Sequence, residues 1–168
     1  MENIEIERKY IIEIPDLKLI SEMPSYTVSK IEQIYLSSPM HVTHRVRRRA
    51  YEGRVEYTET KKVRIDKTSS YEDEKQITCE EYIALAKNMA KDTLPLIKVR
   101  HTFEYLGQVF EIDVYPNWSG TCVMETELST SDTVVSMPPF IHIVREVTGD
   151  KKYSNASMSR EFPKEITD

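Results

Sequence analysis

Charged residues recur at every second position through much of this sequence, with mostly apolar residues between them. Residues 4–14 read IEIERKYIIEI, so that Glu5, Glu7 and Lys9 fall on alternate positions. Because successive side chains of a β-strand point to opposite faces, these three would share one face at intervals of about 7 Å. The period therefore favours a strand with one charged face over a helix.

The same period-2 pattern, rich in β-branched and aromatic residues, marks seven further segments. The predicted strands cover residues 3–14, 26–37, 41–51, 54–65, 70–78, 95–106, 108–116 and 121–129. Thr78 and Glu81 form a capping box, which predicts a helix over residues 78–90. The segment PPFIHIVREVTG predicts a second short helix from about Pro138, because proline is tolerated in a first helical turn.

Strands outnumber helices and are joined by short connections, which favours antiparallel pairing. Eight strands are enough to close a barrel. We therefore predict an α+β protein that is mainly antiparallel β, a closed eight-stranded β-barrel with a few peripheral helices. A chain of 168 residues can bury a sizeable core, and we expect a single domain over residues 1–168.

Composition limits what the protein can bind and where it is located. The net charge of -5 argues against a nucleic-acid binder, yet HRVRRR and TKKVR concentrate positive charge in a way that suits a small anion. No run approaches the roughly 18 apolar residues of a membrane span, and no signal peptide is recognised. Cys79 and Cys122 lack a CxxC pattern and are expected to be free thiols, so a cytoplasmic location fits best.

Seven of the predicted strands carry polar or charged residues two positions apart. These sets are Glu5, Glu7 and Lys9; Arg45, Arg47 and Arg49; Thr58, Thr60, Lys62 and Arg64; Glu72 and Glu74; Lys98 and Arg100; Glu111 and Asp113; and Glu125 and Glu127. For any one strand, a solvated sheet face explains the pattern. Seven such strands favour an alternative, in which the charged faces turn inward and helices, loops or a partner cover the apolar faces.

Charges enclosed in a lumen need partners, because burying an unpaired charge is costly. A metal ion and a polyanion would supply both kinds of partner, since acids bind the cation while Lys and Arg bind the anion. Hard cations such as Mg²⁺ prefer carboxylate oxygens and often take phosphate oxygens as further ligands. Phosphoryl transfer in turn demands mainly positioning and charge stabilisation from the protein. The pattern thus points to a site for a metal-bound phosphate compound.

At this point the residues resemble a known family, the CYTH domain or triphosphate tunnel metalloenzymes. The matching segments, in the family's order, are EIERK (5–9), RVRRR (45–49), TKK (60–62), YEDEKQIT (71–78), IKVRHTFEYLGQVFEIDVY (97–115), METEL (124–128) and REVTGDKKYSN (145–155). The resemblance spans about residues 4–155. It implies an eight-stranded β-tunnel and Mg²⁺- or Mn²⁺-dependent chemistry on triphosphate-bearing substrates.

The resemblance also implies roles for individual residues. Metal ligands would be Glu5, Glu7, Glu74, Asp113, Glu125 and Glu127. Phosphate-binding residues would be Lys9, Arg45, Arg47, Lys62, Lys98, Arg100 and Lys152. Residues implied in catalysis are Glu5, Glu7, Lys9 and Lys98, with a lumen lysine as a candidate base. Lys62 is preferred to Lys61 by parity, and Lys152 is preferred to Lys151. Glu72 and Glu111 could belong to the site or form ion pairs with its basic residues. Tyr35 is expected in packing or hydrogen bonding. Tyr153 and Asn155 would fix the C-terminal segment over the tunnel.

The predicted function is a divalent-metal-dependent hydrolase that cleaves a phosphoanhydride bond of a triphosphate, with inorganic tripolyphosphate favoured over nucleoside or thiamine triphosphate. The alternatives are a class IV-like adenylyl cyclase, a non-catalytic sensor of nucleotides or polyphosphate, and an interaction domain with a solvated charged sheet. The expected partner is a small-molecule triphosphate substrate, with no nucleic acid and no membrane; a homodimer is left open.

The parity of the first strand yields a direct test. Arg8 lies between Glu7 and Lys9 and points to the opposite face, so Arg8→Ala should retain near-normal turnover while Lys9→Ala should be inactive. Phosphate release from inorganic tripolyphosphate with Mg²⁺ measures both variants. Equal losses in the two would contradict the inward orientation of Lys9.

Overall fold

The structure is a computed structural model that describes residues 3–118 and 120–165. It contains the eight predicted strands, each beginning and ending within about two residues of its predicted limits, and a ninth short strand. The strands are β1 (Ile4–Glu13), β2 (Thr27–Tyr35), β3 (Val42–Tyr51), β4 (Arg54–Arg64), β5 (Ser69–Ile77), β6 (Leu96–Tyr105), β7 (Gln108–Val114), β8 (Thr121–Glu127) and β9 (Ile143–Glu146).

Strands β1 to β8 close into an antiparallel barrel. Their order is β5-β4-β3-β2-β6-β7-β8-β1, and β1 returns to β5 through the pairing of Ile4 with Tyr71 and of Ile6 with Ser69. The remaining edge of β1 pairs with β9, which lies outside the closed ring. The predicted closed eight-stranded barrel of an α+β protein is thereby confirmed.

The helices are short and peripheral. They are α1 (Leu17–Ser21), α2 (Cys79–Ala86) and α3 (Asn155–Met158), and a 3-10 turn covers Lys151–Tyr153. Helix α2 begins as its capping box predicts, since the Thr78 hydroxyl accepts a hydrogen bond from the Glu81 amide at 3.1 Å. It ends at Ala86, four residues before the predicted limit, and Met89 beyond it forms a β-bridge with Leu36.

The predicted helix from Pro138 is wrong. The chain forms a turn there, in which the Ile141 amide donates to the Pro138 carbonyl at 3.1 Å, and then enters β9. The physical reason lies in β1, whose edge pairs with β5 only over its first residues and is open beyond them. The β-branched Ile143 and Val144 suit the extended pairing that fills this edge, so the tertiary context overrides the helical spacing.

The apolar faces of the barrel point outward and are covered. One buried cluster lies under α1 and the segment that precedes β9, and it comprises Tyr10, Ile12, Ile20, Phe103, Phe110, Ile112, Cys122, Met124 and Ile141. A second lies under α2 and comprises Ile34, Leu36, Val46 and Tyr82. Because the apolar side chains pack outside the barrel wall, its interior is left to the charged residues.

A third cluster closes one end of the barrel, which we call the closed end. Here Ile11, Leu96, Tyr115 and Val123 pack against side chains that follow β9, namely Val147, Tyr153, Met158 and Phe162. The closed end is the one where β1 ends and β6 and β8 begin. The opposite, open end carries the β3–β4 and β6–β7 turns.

Two expectations from composition can be compared with the described residues. No helix among them is long and apolar enough to cross a membrane. Cys79 and Cys122 are free thiols, as predicted.

Gly149 offers a test of how the chain after β9 packs on the barrel. Its φ is +76°, and a Cβ atom there would lie 2.5 Å from Lys67 Cγ and 3.0 Å from the Lys67 carbonyl oxygen. Gly107 has the same φ with open space around it. We expect Gly107→Ala to cost about 1–2 kcal/mol from backbone strain alone, and Gly149→Ala to cost clearly more. Denaturant unfolding of both variants measures the difference, and equal costs would contradict the close packing.

Candidate active site

The barrel encloses a cavity of about 830 Å³ that is lined mainly by charged side chains. Its acids are Glu5, Glu7, Glu72, Glu74, Glu111, Glu125 and Glu127, and its bases are Lys9, Arg45, Arg47, Arg49, Lys62, Arg64, Arg100 and Lys151. These residues come from β1, β3, β4, β5, β6, β7 and β8 together with the C-terminal segment. The period-2 pattern thus does turn the charged faces of seven strands into one enclosed space.

Most of the predicted site residues line this cavity, and three do not. Lys98 and Asp113 are almost fully buried inside the barrel towards its closed end, and Lys152 lies outside the lining, which includes the neighbouring Lys151 instead. Lys62 lines the cavity whereas Lys61 does not, as the parity argument predicted. The roles assigned to all these residues stay predictions.

The acidic side of the cavity is built on β1. Pairing of β1 with β8 sets Glu7 opposite Glu127 and Lys9 opposite Glu125. Lys62 on β4 reaches the same region, with its Nζ 2.6 Å from Glu5, 3.7 Å from Glu72 and 3.9 Å from Glu7. The Lys62 ammonium group therefore lies within 4 Å of three carboxylates.

The crowding of carboxylates perturbs their protonation. The charge of Glu125, together with burial, raises the pKa of Glu7 to about 8. Burial also opposes the ionisation of Glu125, but the nearby charges of Lys9, Arg100 and Lys98 outweigh it and lower the pKa of Glu125 to about 2. Positive charge thus outweighs the burial of Glu125, whereas the charges of Lys62 and Lys9 do not offset the effect of Glu125 and burial on Glu7.

The basic side is built on β3, where Arg45 and Arg47 point inward. Among the described residues, no group accepts a hydrogen bond from the buried Nε atom of either arginine. Burial and the charge of Arg45 lower the pKa of Arg47 to about 10, and the 3.5 Å approach of Glu74 to Arg47 does not offset them. Buried N–H groups without acceptors are costly, and an anion in the cavity would offset the positive charge of these two side chains.

A network of paired charges lies between this lining and the closed end of the barrel. The Asp113 carboxylate accepts hydrogen bonds from Arg100 Nε and Nη2 at 2.8 and 2.9 Å and lies 2.8 Å from Lys98 Nζ. Arg100 also pairs with Glu111 at the cavity surface. Burial lowers the pKa of Lys98 to about 8, although Asp113 acts in the opposite direction. The network holds Arg100 in place with its guanidinium facing the cavity.

The C-terminal segment completes the lining. The Asn155 side chain accepts hydrogen bonds from the Tyr115 hydroxyl at 2.6 Å and from Lys98 Nζ at 3.4 Å, while Lys9 Nζ donates to the Tyr153 carbonyl at 3.2 Å. These contacts confirm that Tyr153 and Asn155 fix this segment to the barrel.

Some cavity residues escaped the sequence analysis. Tyr35, expected in packing or hydrogen bonding, lines the cavity, and its hydroxyl accepts a hydrogen bond from Gln33 Nε2 at 3.0 Å. The signal was the shared parity of Gln33 and Tyr35 on β2. Ser154 and Ser157 also line the cavity, and no spacing in the sequence could place them there.

The carboxylates fit a divalent metal ion in chemical type. Glu5, Glu7, Glu125 and Glu127 offer the hard oxygen donors that Mg²⁺ and Mn²⁺ prefer, and the raised pKa of Glu7 indicates a local shortage of positive charge. Within residues 3–118 and 120–165, no three acidic, histidine or cysteine side chains are grouped closely enough to share an ion. Lys62 and Lys9 contact these carboxylates instead.

Comparison with known proteins identifies similar folds. No protein-family model and no curated protein matches the chain. Among solved structures, the inorganic triphosphatase NE1496 is 26% identical, over 95% of this chain and 97% of that one, with a TM-score of 0.60.

More distant structures share the fold alone. The PH1819 protein from Pyrococcus horikoshii OT3 is 19% identical, over 76% of this chain and 80% of that one, with a TM-score of 0.60. HpAC1 from Hippeastrum, for which a dominant triphosphatase activity is described, is 15% identical, over 75% and 80%, with a TM-score of 0.53.

The pKa of Glu7 leads to a testable pH dependence. Its folded value of about 8 lies above the ordinary value of 4.5, so between these limits the folded protein binds a proton that the unfolded chain has lost. This contribution to stability therefore falls as pH rises through that window. Glu7→Gln removes the titration, and in the presence of a metal chelator we expect the variant to gain in melting temperature over the wild type as pH rises from 5 to 8.

The matched control is Glu80→Gln, which removes an exposed carboxylate on α2. Its melting temperature should differ from that of the wild type by the same amount at both pH values. If Glu7→Gln behaved like this control, the crowding of Glu7 by Glu125 would be refuted.

Proposed function

Because this chain shares its strand motifs and its closed barrel with the CYTH family, we propose that it is a divalent-metal-dependent triphosphatase that favours inorganic tripolyphosphate. The observation that carries the proposal is the pair of Arg45 and Arg47 side chains, whose buried Nε groups have no acceptor among the residues that the structure describes and which line a cavity whose other side is acidic. The basic side of such a cavity would bind an anion, and its acidic side would bind a cation.

The comparison supports the same class of reaction. NE1496 is described as an inorganic triphosphatase, and it covers nearly the whole of this chain. The segments that carry the family resemblance contribute most of the charged residues of the cavity, from EIERK on β1 to METEL on β8. The resemblance therefore coincides with the site rather than with the outer surface.

The acidic residues of the cavity would bind the metal ion, and the basic residues would bind the phosphate groups. When bound by Glu5, Glu7, Glu125 and Glu127, a divalent ion would shield the triphosphate and polarise a phosphoryl oxygen. Arg45, Arg47 and Arg100 would donate to phosphate oxygens, and guanidinium groups suit this task because they can bind phosphate in a bidentate manner. Their fixed positions in a partly enclosed site would stabilise charge that develops during phosphoryl transfer.

The lining favours an inorganic substrate over a nucleotide. A nucleobase is normally bound against apolar or aromatic surface. Among the described lining residues, the aromatic rings are those of Tyr35 and His41, and the apolar side chains are Val42 and Ala156. None of these four belongs to β6, β7 or β8, whose contribution to the lining is polar throughout.

An assay of the wild-type protein separates the proposed function from its alternatives. The protein is incubated with Mg²⁺ or Mn²⁺ and with inorganic tripolyphosphate, ATP or thiamine triphosphate. Phosphate release, greatest from tripolyphosphate, is the expected result. Cyclic AMP formation would indicate a cyclase, tight binding without turnover would indicate a sensor, and indifference to every triphosphate would refute a triphosphate site.

Arg45 and Arg47, whose Nε groups have no acceptor in the part of the chain that the structure describes, provide the matched mutational test. Arg45→Gln and Arg47→Gln should each lower kcat/KM for tripolyphosphate by about 10²-fold or more, as loss of a positioned charge donor does in other enzymes. Arg48 lies between them with opposite parity and outside the cavity lining, so Arg48→Gln should retain activity within about twofold. Similar losses in all three variants would show that only net charge matters.

A further inference from the structure

We propose that Arg49 is a specificity-determining residue at the open end of the cavity. Its guanidinium would bind the free terminal phosphoryl group of an inorganic oligophosphate and so discriminate against triphosphates that carry an organic group at that end. The inference rests on the proposed function, since it concerns the substrate class of the same site. Arg49 ends the family-like segment RVRRR (45–49), but the resemblance implied phosphate binding only for Arg45 and Arg47 of that segment.

The position of Arg49 extends the basic side of the cavity outward. Arg45, Arg47 and Arg49 share the inward face of β3, in steps of about 7 Å. Arg45 is paired with Tyr35, near the closed end, whereas Arg49 is two residues from the end of β3 at the β3–β4 turn. A phosphate chain held by Arg45 and Arg47 and extending towards the opening would therefore meet Arg49.

Arg49 is held in a fixed position from one side. Its Nε donates a hydrogen bond to the hydroxyl of the buried Ser29 at 2.9 Å, and its guanidinium carbon lies 4.3 Å from the centre of the Tyr51 ring. A stacked and hydrogen-bonded guanidinium loses little further freedom when it binds an anion, which favours affinity.

Within residues 3–118 and 120–165, the remaining N–H groups of Arg49 contact no carboxylate. Its cross-strand neighbour Glu56 accepts a hydrogen bond from the Tyr51 hydroxyl at 2.7 Å. Among the residues that the structure describes, no acid forms an ion pair with Arg49, whereas Arg47 approaches Glu74 and Arg100 is paired with Asp113 and Glu111. The two Nη groups are thus available for a bidentate contact with phosphate.

The neighbours of Arg49 at this end suit phosphate better than an organic group. Thr27 and Thr102 line the cavity here as a cross-strand pair of hydroxyl-bearing side chains. Inorganic tripolyphosphate ends in a charged phosphoryl group on both sides, but a nucleoside triphosphate ends in an ester on one. With its ester end towards the opening, a nucleoside triphosphate would present a less charged α-phosphate and its organic group to Arg49, so only the inorganic substrate would offer a free terminal phosphoryl group there.

The experiment compares Arg49→Gln with Arg54→Gln in the full-length protein. Arg54 stacks on the same Tyr51 ring at 5.3 Å, but it is exposed, pairs with Glu52 at 3.3 Å and lies outside the cavity lining. We expect Arg49→Gln to lower kcat/KM for tripolyphosphate by about 10- to 100-fold, the range for one charge-assisted hydrogen-bonded contact, and to leave that for ATP within about twofold. Arg54→Gln should change neither value.

Several outcomes would overturn the inference. Unchanged tripolyphosphate hydrolysis by Arg49→Gln would do so, as would equal losses with both substrates. An equal effect of Arg54→Gln would assign the change to long-range charge rather than to contact. Arg49→Lys, which keeps the charge without the planar fork, should show an intermediate loss for tripolyphosphate, and melting curves confirm that each variant is folded.

The failure of the proposed function is distinguishable from the failure of this inference. If the wild type hydrolyses no triphosphate, the proposed function is overturned, and equilibrium binding of tripolyphosphate and ATP then replaces turnover. In that case Arg49→Gln should reduce the preference for tripolyphosphate, and an unchanged preference would overturn the role of Arg49.

Discussion

The structure depends on one constraint, that charges turned into a closed barrel must find partners inside it. Alternation along each strand sends charged side chains inward and apolar side chains outward, so the barrel needs external cover from α1, α2 and the segment before β9. Inside the barrel, Glu125 pairs with Lys9 and Glu5 pairs with Lys62. Asp113 forms ion pairs with both Lys98 and Arg100. The unusual location of the apolar packing follows from this arrangement of charge.

The internal pairing is incomplete in an informative way. Three carboxylates share Lys62, and the charges of Lys62 and Lys9 do not offset the effect of Glu125 and burial on Glu7. Across the cavity, the Nε groups of Arg45 and Arg47 have no acceptor among the described residues. The acidic side of the cavity therefore has excess negative charge, and the basic side has excess positive charge. A metal-bound polyanion is the class of ligand that would offset both, which is the physical basis of the proposed function.

The C-terminal segment links closure of the barrel to the composition of the site. Asn155 is bound by Tyr115 and Lys98 at the closed end, and Lys9 donates to the Tyr153 carbonyl. The same segment packs its apolar side chains on Ile11 and Val123, which face inward where β1 ends and β8 begins. The cavity thus has one end closed by packing and one end whose lining includes Arg49, which gives its two ends different chemistry.

The sequence by itself determined the eight strands, their antiparallel closure and the face on which each charge lies, because a period of two residues assigns every strand residue to one side. It identified most of the cavity lining and distinguished Lys62 from Lys61 by parity alone. Only the tertiary structure decided how deeply each charged side chain is buried and which residues it contacts. Lys98 and Asp113 share the inward parity but are buried towards the closed end, since parity gives the face of a strand and not the distance to the cavity. Strand β9 formed where helical spacing predicted a helix, because the open edge of β1 could be satisfied only by a partner distant in sequence.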